Sequence, residues 1–100
     1  MCLMSEAKLT RKILTNLRKQ FGGVWWKIHA NVFQGKTTLD IFGVVLGKFF
    51  ALEVKLPGKE NELTKIQAFM IGRINKNGGH AKMVTSFKQA KNFVRRVLES

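Results

Sequence analysis

The sequence predicts an α/β domain in which helices flank a mixed sheet, with the element order αβββαβα. Apolar residues recur at helical spacing near both ends of the chain and in its third quarter, and at alternate positions elsewhere. The 100 residues suit one domain with one core, and the single proline is typical of a folded chain. We therefore expect a single domain over residues 1–100.

The first helix is predicted from Ser5 to Phe21, because apolar residues recur there about every four positions. Ser5 is a suitable N-cap, and the glycine pair at 22–23 is a suitable end. From Val24 to Phe33 the apolar period changes to two, which predicts a strand. Trp25 and Trp26 alternate across that strand, so one of them is expected in the core.

Two further strands are predicted to form a hairpin over 39–46 and 49–55, closed by Gly47 and Lys48. Because side chains alternate along a strand, the third strand has two distinct faces. One face carries Phe50, Leu52 and Val54, and the other carries Ala51, Glu53 and Lys55.

The last part of the chain predicts a helix, a short strand and a final helix. After a polar loop at 57–62, Thr64 opens the second helix, which ends at Asn77 and the glycines that follow. A short strand is predicted at 81–85. Ser86 then caps the last helix, and Gln89 completes a capping box with it.

The charge balance favours a polyanionic partner, meaning DNA, RNA or an acidic membrane surface. Lys and Arg number 18 against 6 Asp and Glu, a formal net charge of +12. The apolar runs are far shorter than the roughly 20 residues that a membrane helix needs. The N-terminus does not have the pattern of a signal peptide, so a cytoplasmic location is expected. The lone Cys2 excludes an internal disulfide and a multi-cysteine zinc site.

Two acidic residues lie in predicted apolar strands, where an unpaired buried carboxylate is costly. Hairpin pairing places Asp40 roughly opposite Ala51 to Glu53, so the two carboxylates could share one divalent cation. Lys55, on the same face as Glu53, could orient a water molecule or offset charge on a phosphate. The alternative is that Asp40 is a turn residue and that Glu53 and Lys55 form an exposed ion pair.

Two helical residues have both a structural and a functional interpretation. Glu6 lies on the core-facing stripe of the first helix, from which it could reach the same cation. It is also a residue that the dipole favours near any helix N-terminus. Gln67 forms a capping box with Thr64, and its amide could instead face the cation or a phosphate.

These residues resemble those of the PD-(D/E)XK nuclease superfamily, and within it the small VRR-NUC domains, over nearly the whole chain. That superfamily has a restriction-endonuclease-like αβββαβ core, to which this sequence adds a C-terminal helix. Leu39 stands where the family usually has proline before the aspartate. The matching pieces are Glu6, residues 39–43, residues 51–55, Pro57-Gly58, Leu63-Thr64-x-x-Gln67 and Gly78-Gly79.

The resemblance implies hydrolysis of DNA phosphodiesters with Mg²⁺, or Mn²⁺ in its place. It implies Asp40, Glu53 and the Val54 carbonyl as metal ligands and Lys55 as the catalytic residue that orients the water. Glu6 would be an auxiliary ligand, and Gln67 an auxiliary catalytic residue. Small stand-alone members look like homodimers that act on branched DNA, similar to Holliday junction resolvases of phage or bacterial cytoplasm.

Basic residues near the predicted site are expected to contact the DNA backbone rather than read its sequence, because no base-reading motif is present. Two other interpretations remain open: a basic DNA- or RNA-binding module without catalysis, and a structural subunit of a larger assembly. The carboxylate pair favours the enzyme, since acids beside a phosphate ligand repel it unless a cation intervenes. The predicted DNA contacts are Lys27, Lys36, Lys59 and Lys65, with Lys48 also placed near the site.

Overall fold

The structure, a computed structural model, describes residues 4–29 and 39–100. These residues form three α-helices and four strands in the predicted order αβββαβα, so the predicted fold class is confirmed. A short 3₁₀ turn at Glu60–Glu62 is added in the polar loop. The helices are α1 (Glu6–Phe21), α2 (Lys65–Lys76) and α3 (Phe87–Glu99), and the strands are β1 (Val24–Lys27), β2 (Ile41–Val45), β3 (Lys48–Val54) and β4 (His80–Val84).

The strands form one mixed sheet in the order β1-β2-β3-β4. The first three strands are antiparallel neighbours, while β3 and β4 run parallel. A parallel pair requires a long crossover, and α2 supplies it. The β2–β3 turn consists of Leu46 and Gly47, both with positive φ (50° and 81°), as a type I′ hairpin requires.

The first strand is shorter than predicted, because it ends at Lys27. Its partner β2 begins at Ile41, which pairs with Lys27, and only the Ile28 amide continues toward the carbonyl of Asp40 at 2.8 Å. The rest of the predicted strand, residues 30–33, lies outside the described residues. Of the two tryptophans, Trp25 is buried and Trp26 is 39% exposed, in agreement with alternation along the strand.

Two apolar layers hold the helices on the sheet. On one face, α1 and α3 pack against a core that includes Ile13, Leu17 and Phe50. On the other face, α2 packs against a smaller cluster of Leu39, Ala51 and Ala81. Strand β3 is therefore covered on both sides. No helix among the described residues is long and apolar enough to cross a membrane.

Candidate active site

Three carboxylates meet at one end of the sheet. Glu6 is the first residue of α1, Asp40 immediately precedes β2, and Glu53 lies near the end of β3. One oxygen of each lies within 4.8 Å of the others. Because Ile41 pairs with Leu52, the antiparallel register places Asp40 opposite Glu53, within the range from Ala51 to Glu53 that the hairpin predicted. Elements far apart in sequence thus bring together an all-oxygen cluster.

The position of Glu6 follows from the way α1 begins. The Ser5 hydroxyl accepts a hydrogen bond of 3.1 Å from the Lys8 amide, which confirms Ser5 as the N-cap. The apolar stripe of α1 packs on the sheet and aims the first turn at the end where Asp40 lies. Thr10, one helical turn after Glu6, lines a cavity that opens beside Glu6 and Asp40. Its four-residue spacing from Glu6 is the sequence signal that could have identified it.

Glu53 is fully buried and incompletely hydrogen-bonded. Its Oε2 accepts a hydrogen bond of 2.9 Å from Nε2 of Gln67 and lies 3.4 Å from Nζ of Lys55. Its Oε1 is buried without a hydrogen-bond partner. Burial and the charge of Asp40 raise the pKa of Glu53 to about 7, although Lys55 opposes that shift. A buried acceptor without a partner is unusual, and it marks the place where a cation would fit.

Lys55 is buried beside Glu53, with 6% of its surface exposed. The alternative of an exposed Glu53–Lys55 ion pair is therefore wrong. The physical reason is that β3 is covered on both faces, and the Lys55 amide extends its pairing by donating to the carbonyl of Val84 at 3.0 Å. The ammonium group is thus held next to the carboxylate cluster.

Asp40 is oriented by the backbone of β3. Its Oδ2 accepts a hydrogen bond of 2.8 Å from the Val54 amide, which leaves Oδ1 available for another partner. The N–H and C=O groups of one strand residue point to the same side, so the Val54 carbonyl also points toward Asp40. A ligand role for that carbonyl stays a prediction.

The Gln67 amide completes the capping box and also contacts Glu53. Its Oε1 accepts from the Thr64 amide at 3.0 Å, and the Thr64 hydroxyl accepts from the Gln67 amide at 3.1 Å, which completes the capping box. Its Nε2 donates to Glu53. One side chain therefore begins α2 and holds a carboxylate of the site.

A solvent-accessible cavity of about 280 Å³ opens beside Glu6 and Asp40. Lys27 and His29 line it, so a cation and an imidazole face the approach to the carboxylates. Ile28, Ala7 and Thr10 complete the lining. The cavity is large enough for a phosphate group with its hydration, and its mixed charges suit a phosphate only when the acids are neutralised.

The predicted DNA-contacting lysines fall at different places. Lys27 lines the cavity, and Lys65 is exposed at the start of α2, two residues before Gln67. Lys59 is exposed in the loop, with Nζ 3.7 Å from Oε2 of Glu62. Lys36 lies outside the described residues.

Lys48 was placed near the site by the sequence, and this placement is wrong. It begins β3, whereas Glu53 lies near the other end of that strand. Five residues of extended chain span roughly 17 Å, so Lys48 lies at the opposite end of the sheet.

The fold and this site were compared with known proteins. No family model matches the sequence, and no curated protein matches it. Among solved structures, a chain described as a VRR_NUC domain superposes with a TM-score of 0.64 and 25% sequence identity. The match covers 90% of this chain and 94% of that one. This similarity supports a VRR-NUC family assignment.

The VRR-NUC resemblance read from the sequence is thereby confirmed. The segments that carried it, 39–43 and 51–55, are the β2 and β3 segments that hold Asp40 and Glu53 in the structure. The family's usual proline is replaced by Leu39, which is buried and packs with Ala51 and Ala81 on the α2 face.

Proposed function

We propose that the chain is a divalent-metal-dependent nuclease that hydrolyses DNA phosphodiester bonds. The observation that carries the proposal is the unpartnered Oε1 of Glu53, which is buried within a cluster of three carboxylates next to a buried lysine. Neither a core nor an ordinary surface gains stability from this arrangement, because like charges are crowded and one acceptor is unsatisfied. A bound cation would relieve both costs.

The donor set fits a hard divalent cation. Its described members are carboxylate oxygens, from Glu6, Asp40 and Glu53, without cysteine or histidine among them. Mg²⁺ binds such oxygens together with water and substrate phosphates, and it suits this open-sided cluster. We infer Mg²⁺ as the cofactor, with Mn²⁺ as a functional substitute. Glu53 and Asp40 would hold it, Glu6 would assist, and the Val54 carbonyl would complete the protein ligands.

A bound divalent cation supplies charge neutralisation at the scissile phosphate and lowers the pKa of a coordinated water. The protein residues prepare the site for that chemistry. Gln67 fixes Glu53 through its Nε2, and the Val54 amide fixes Asp40, so the carboxylates need not reorganise on binding. The Lys55 ammonium orients the attacking water and offsets the charge that develops on the phosphate oxygens. Lys27 attracts the phosphate into the cavity.

The main alternative is a basic binding module without catalysis. Such a module gains nothing from three acids at the place where a phosphate would bind, because they repel it. The buried, hydrogen-bonded arrangement of Glu53 also has a free-energy cost that binding alone does not explain. We therefore favour the enzyme over the binding module.

The test is cleavage of a labelled four-way junction, a linear duplex and single-stranded DNA with Mg²⁺ or Mn²⁺. Asp40→Asn and Lys55→Ala are expected to reduce cleavage by about 100-fold or more, since each removes a group that stabilises the transition state. Glu62→Gln and Lys76→Ala are exposed controls that change charge by the same amounts and should keep activity. Salt-sensitive binding without cleavage of any substrate would overturn the proposal in favour of the binding module.

We further propose that the substrate is branched DNA and that the protein acts as a homodimer. Paired incisions across a four-way junction require two sites related by symmetry. Three apolar side chains lie exposed on one face of β1 and β2, where α2 does not reach, since α2 packs on β3 and β4. They are Val24, Trp26 and Val44, exposed by 62%, 39% and 38%. Such a face is suited to a second copy.

Light scattering at micromolar concentration is expected to give twice the chain mass of 11.4 kDa. Val44→Lys should produce a monomer, whereas Ile66→Lys, an exposed apolar position on α2, should leave the dimer intact. A wild-type monomer that cleaves junctions would contradict the dimer. Equal cleavage of junction and duplex would contradict selectivity for branched DNA.

A further inference from the structure

A second polar groove lies outside the carboxylate site, between β4 and α3. It has a volume of about 400 Å³. One stripe of α3, formed by residues at positions i, i+3, i+4 and i+7, makes one wall, and β4 makes another. The groove is lined by Glu60, Lys82, Met83, Gln89, Asn92, Phe93 and Arg96.

The groove presents two cations that have no acidic partner among the described residues. Among the described residues, ion pairs within 4.0 Å are limited to Lys55–Glu53 and Lys59–Glu62, so neither Lys82 nor Arg96 forms one. Lys82 also contacts an aromatic ring, because its Nζ lies 5.9 Å from the centroid of the Phe93 ring.

Neutral donors accompany these cations. The Gln89 Oε1 accepts from the Thr85 amide at 2.8 Å, which leaves its NH₂ group to donate elsewhere. On β4, the Asn75 side chain binds both the N–H and the C=O of Ala81, so these groups point away from β3. Backbone groups of alternate strand residues point the same way, so the Met83 amide, like that of Ala81, points away from β3.

The groove lies one strand away from Glu53, because Met83 lines it. Met83 pairs with Glu53 in the parallel register, and neighbouring strands lie about 4.8 Å apart. The loop that follows Lys55 carries Glu60 into the groove wall. A DNA backbone bound at the site extends well beyond one strand spacing, since duplex DNA carries a charge about every 3.4 Å along each strand.

We propose that the β4–α3 groove binds the phosphate backbone of the DNA beyond the cleaved bond. This inference rests on the proposed function for the identity of its partner, since the same DNA would occupy both places. Lys82 and Arg96 bind phosphate oxygens, while Gln89, Asn92 and the Met83 amide donate to them. Glu60 weakens the contact, because its carboxylate repels phosphate.

The test measures binding of a labelled duplex and a labelled four-way junction by fluorescence anisotropy, with a chelator present so that no cleavage occurs. Lys82→Gln combined with Arg96→Gln should weaken DNA binding about tenfold. It should also make the negative slope of log K against log salt shallower by about 2. The matched control is Lys88→Gln combined with Arg95→Gln. It removes the same two charges, one of them from the residue before Arg96, but outside the groove lining. We expect less than half that effect on log K.

Glu60→Gln supplies a test of the opposite sign. It should strengthen DNA binding about twofold, whereas Glu99→Gln, the same charge change near the exposed end of α3, should have a smaller effect. Equal losses of DNA binding in the groove double variant and the control double variant would overturn the proposal, since they would show that only net charge matters. Unchanged DNA binding in the groove double variant would also overturn the proposal.

These outcomes are independent of catalysis. If wild-type protein cuts no DNA but the groove variant alone loses binding, the groove is supported and the proposed nuclease function fails. If wild-type protein cuts DNA and the groove variant binds and cuts normally, the groove fails and the nuclease function stands. If the nuclease function and the groove are both correct, the groove variant should have a higher KM and an unchanged kcat, because the groove does not touch the reacting phosphate.

Discussion

Gln67 donates a hydrogen bond of 2.9 Å from Nε2 to Oε2 of Glu53, while its Oε1 accepts from the Thr64 amide that precedes α2. The bond ties the start of a helix to a buried carboxylate 14 residues earlier in the chain. The helix cap and the site are therefore parts of one hydrogen-bond network. A change in Gln67 should affect both stability and function.

Replacing Gln67 by alanine should lower the free energy of unfolding by about 1–2 kcal/mol, through loss of half the capping box and of a buried hydrogen bond. It should also reduce cleavage, because Glu53 is no longer oriented. Thr64→Ala is the control, since it removes the other half of the box and leaves the Gln67–Glu53 bond in place. Denaturant unfolding should show a smaller stability loss for Thr64→Ala than for Gln67→Ala, and a cleavage assay should show a defect in Gln67→Ala alone. A matching cleavage defect in Thr64→Ala would contradict the positioning role.

The stability of the metal-free protein should fall as pH rises from about 5 to 8. The pKa of Glu53 is raised to about 7 in the folded state from an ordinary 4.5, so between these values the folded protein retains a proton that the unfolded chain releases. Stabilisation by that proton is complete below the unfolded-state pKa of 4.5 and is lost as the pH rises through the folded-state pKa of about 7. The free energy of unfolding should fall by up to about 3 kcal/mol in total. Urea unfolding in a chelator at several pH values measures it.

Glu53→Gln should flatten this pH profile, because glutamine does not titrate. Glu62→Gln, which removes an exposed carboxylate, should leave the profile as in the wild type. If Glu53→Gln retained the same slope between pH 5 and 8, the titration would belong to another group.

Divalent cations should stabilise the wild-type protein. Binding to the folded state alone adds about 2.7 kcal/mol when the free cation is at 100 times its Kd. Thermal unfolding with Mg²⁺, Mn²⁺ or a chelator should show a higher Tm with either ion, and Asp40→Asn and Glu53→Gln should reduce or abolish the increase. Glu60→Gln, outside the cluster, should retain it. An equal increase in all variants would indicate binding elsewhere on the surface.

Gly43→Ala should destabilise the fold. A Cβ at this position would collide with the ring of Trp25, which is buried under α1 and cannot move outward without losing its contacts. Overpacking of this kind costs about 1–3 kcal/mol. Gly72→Ala is the control, because a Cβ there meets open space inside α2 and should add up to about 1 kcal/mol of stability. Chemical denaturation of the two variants should show shifts of opposite sign.

The sequence by itself determined the element order and the pairing of two acids. Helical spacing and alternation are local patterns, and they predicted α1 and α3 within a residue or two at each end. A hairpin turn also sets the register of its strands, so the sequence placed Asp40 roughly opposite Ala51 to Glu53. The turn lies at Leu46 and Gly47, one residue earlier than the predicted Gly47 and Lys48, and this fixes Glu53 as the partner. The capping box of Thr64 and Gln67 is likewise a local signal.

Only the tertiary structure decided which of these residues meet and what surrounds them. Periodicity tells which face of an element is buried, but it does not tell which end of the sheet a helix reaches or how much covers a strand. The arrival of Glu6 at the carboxylates, the burial of Lys55 and the Gln67–Glu53 bond all depend on how helices cross β3. For the same reason Lys48 was misplaced, and the Lys82–Arg96 groove came from packing between elements whose separate patterns did not indicate it.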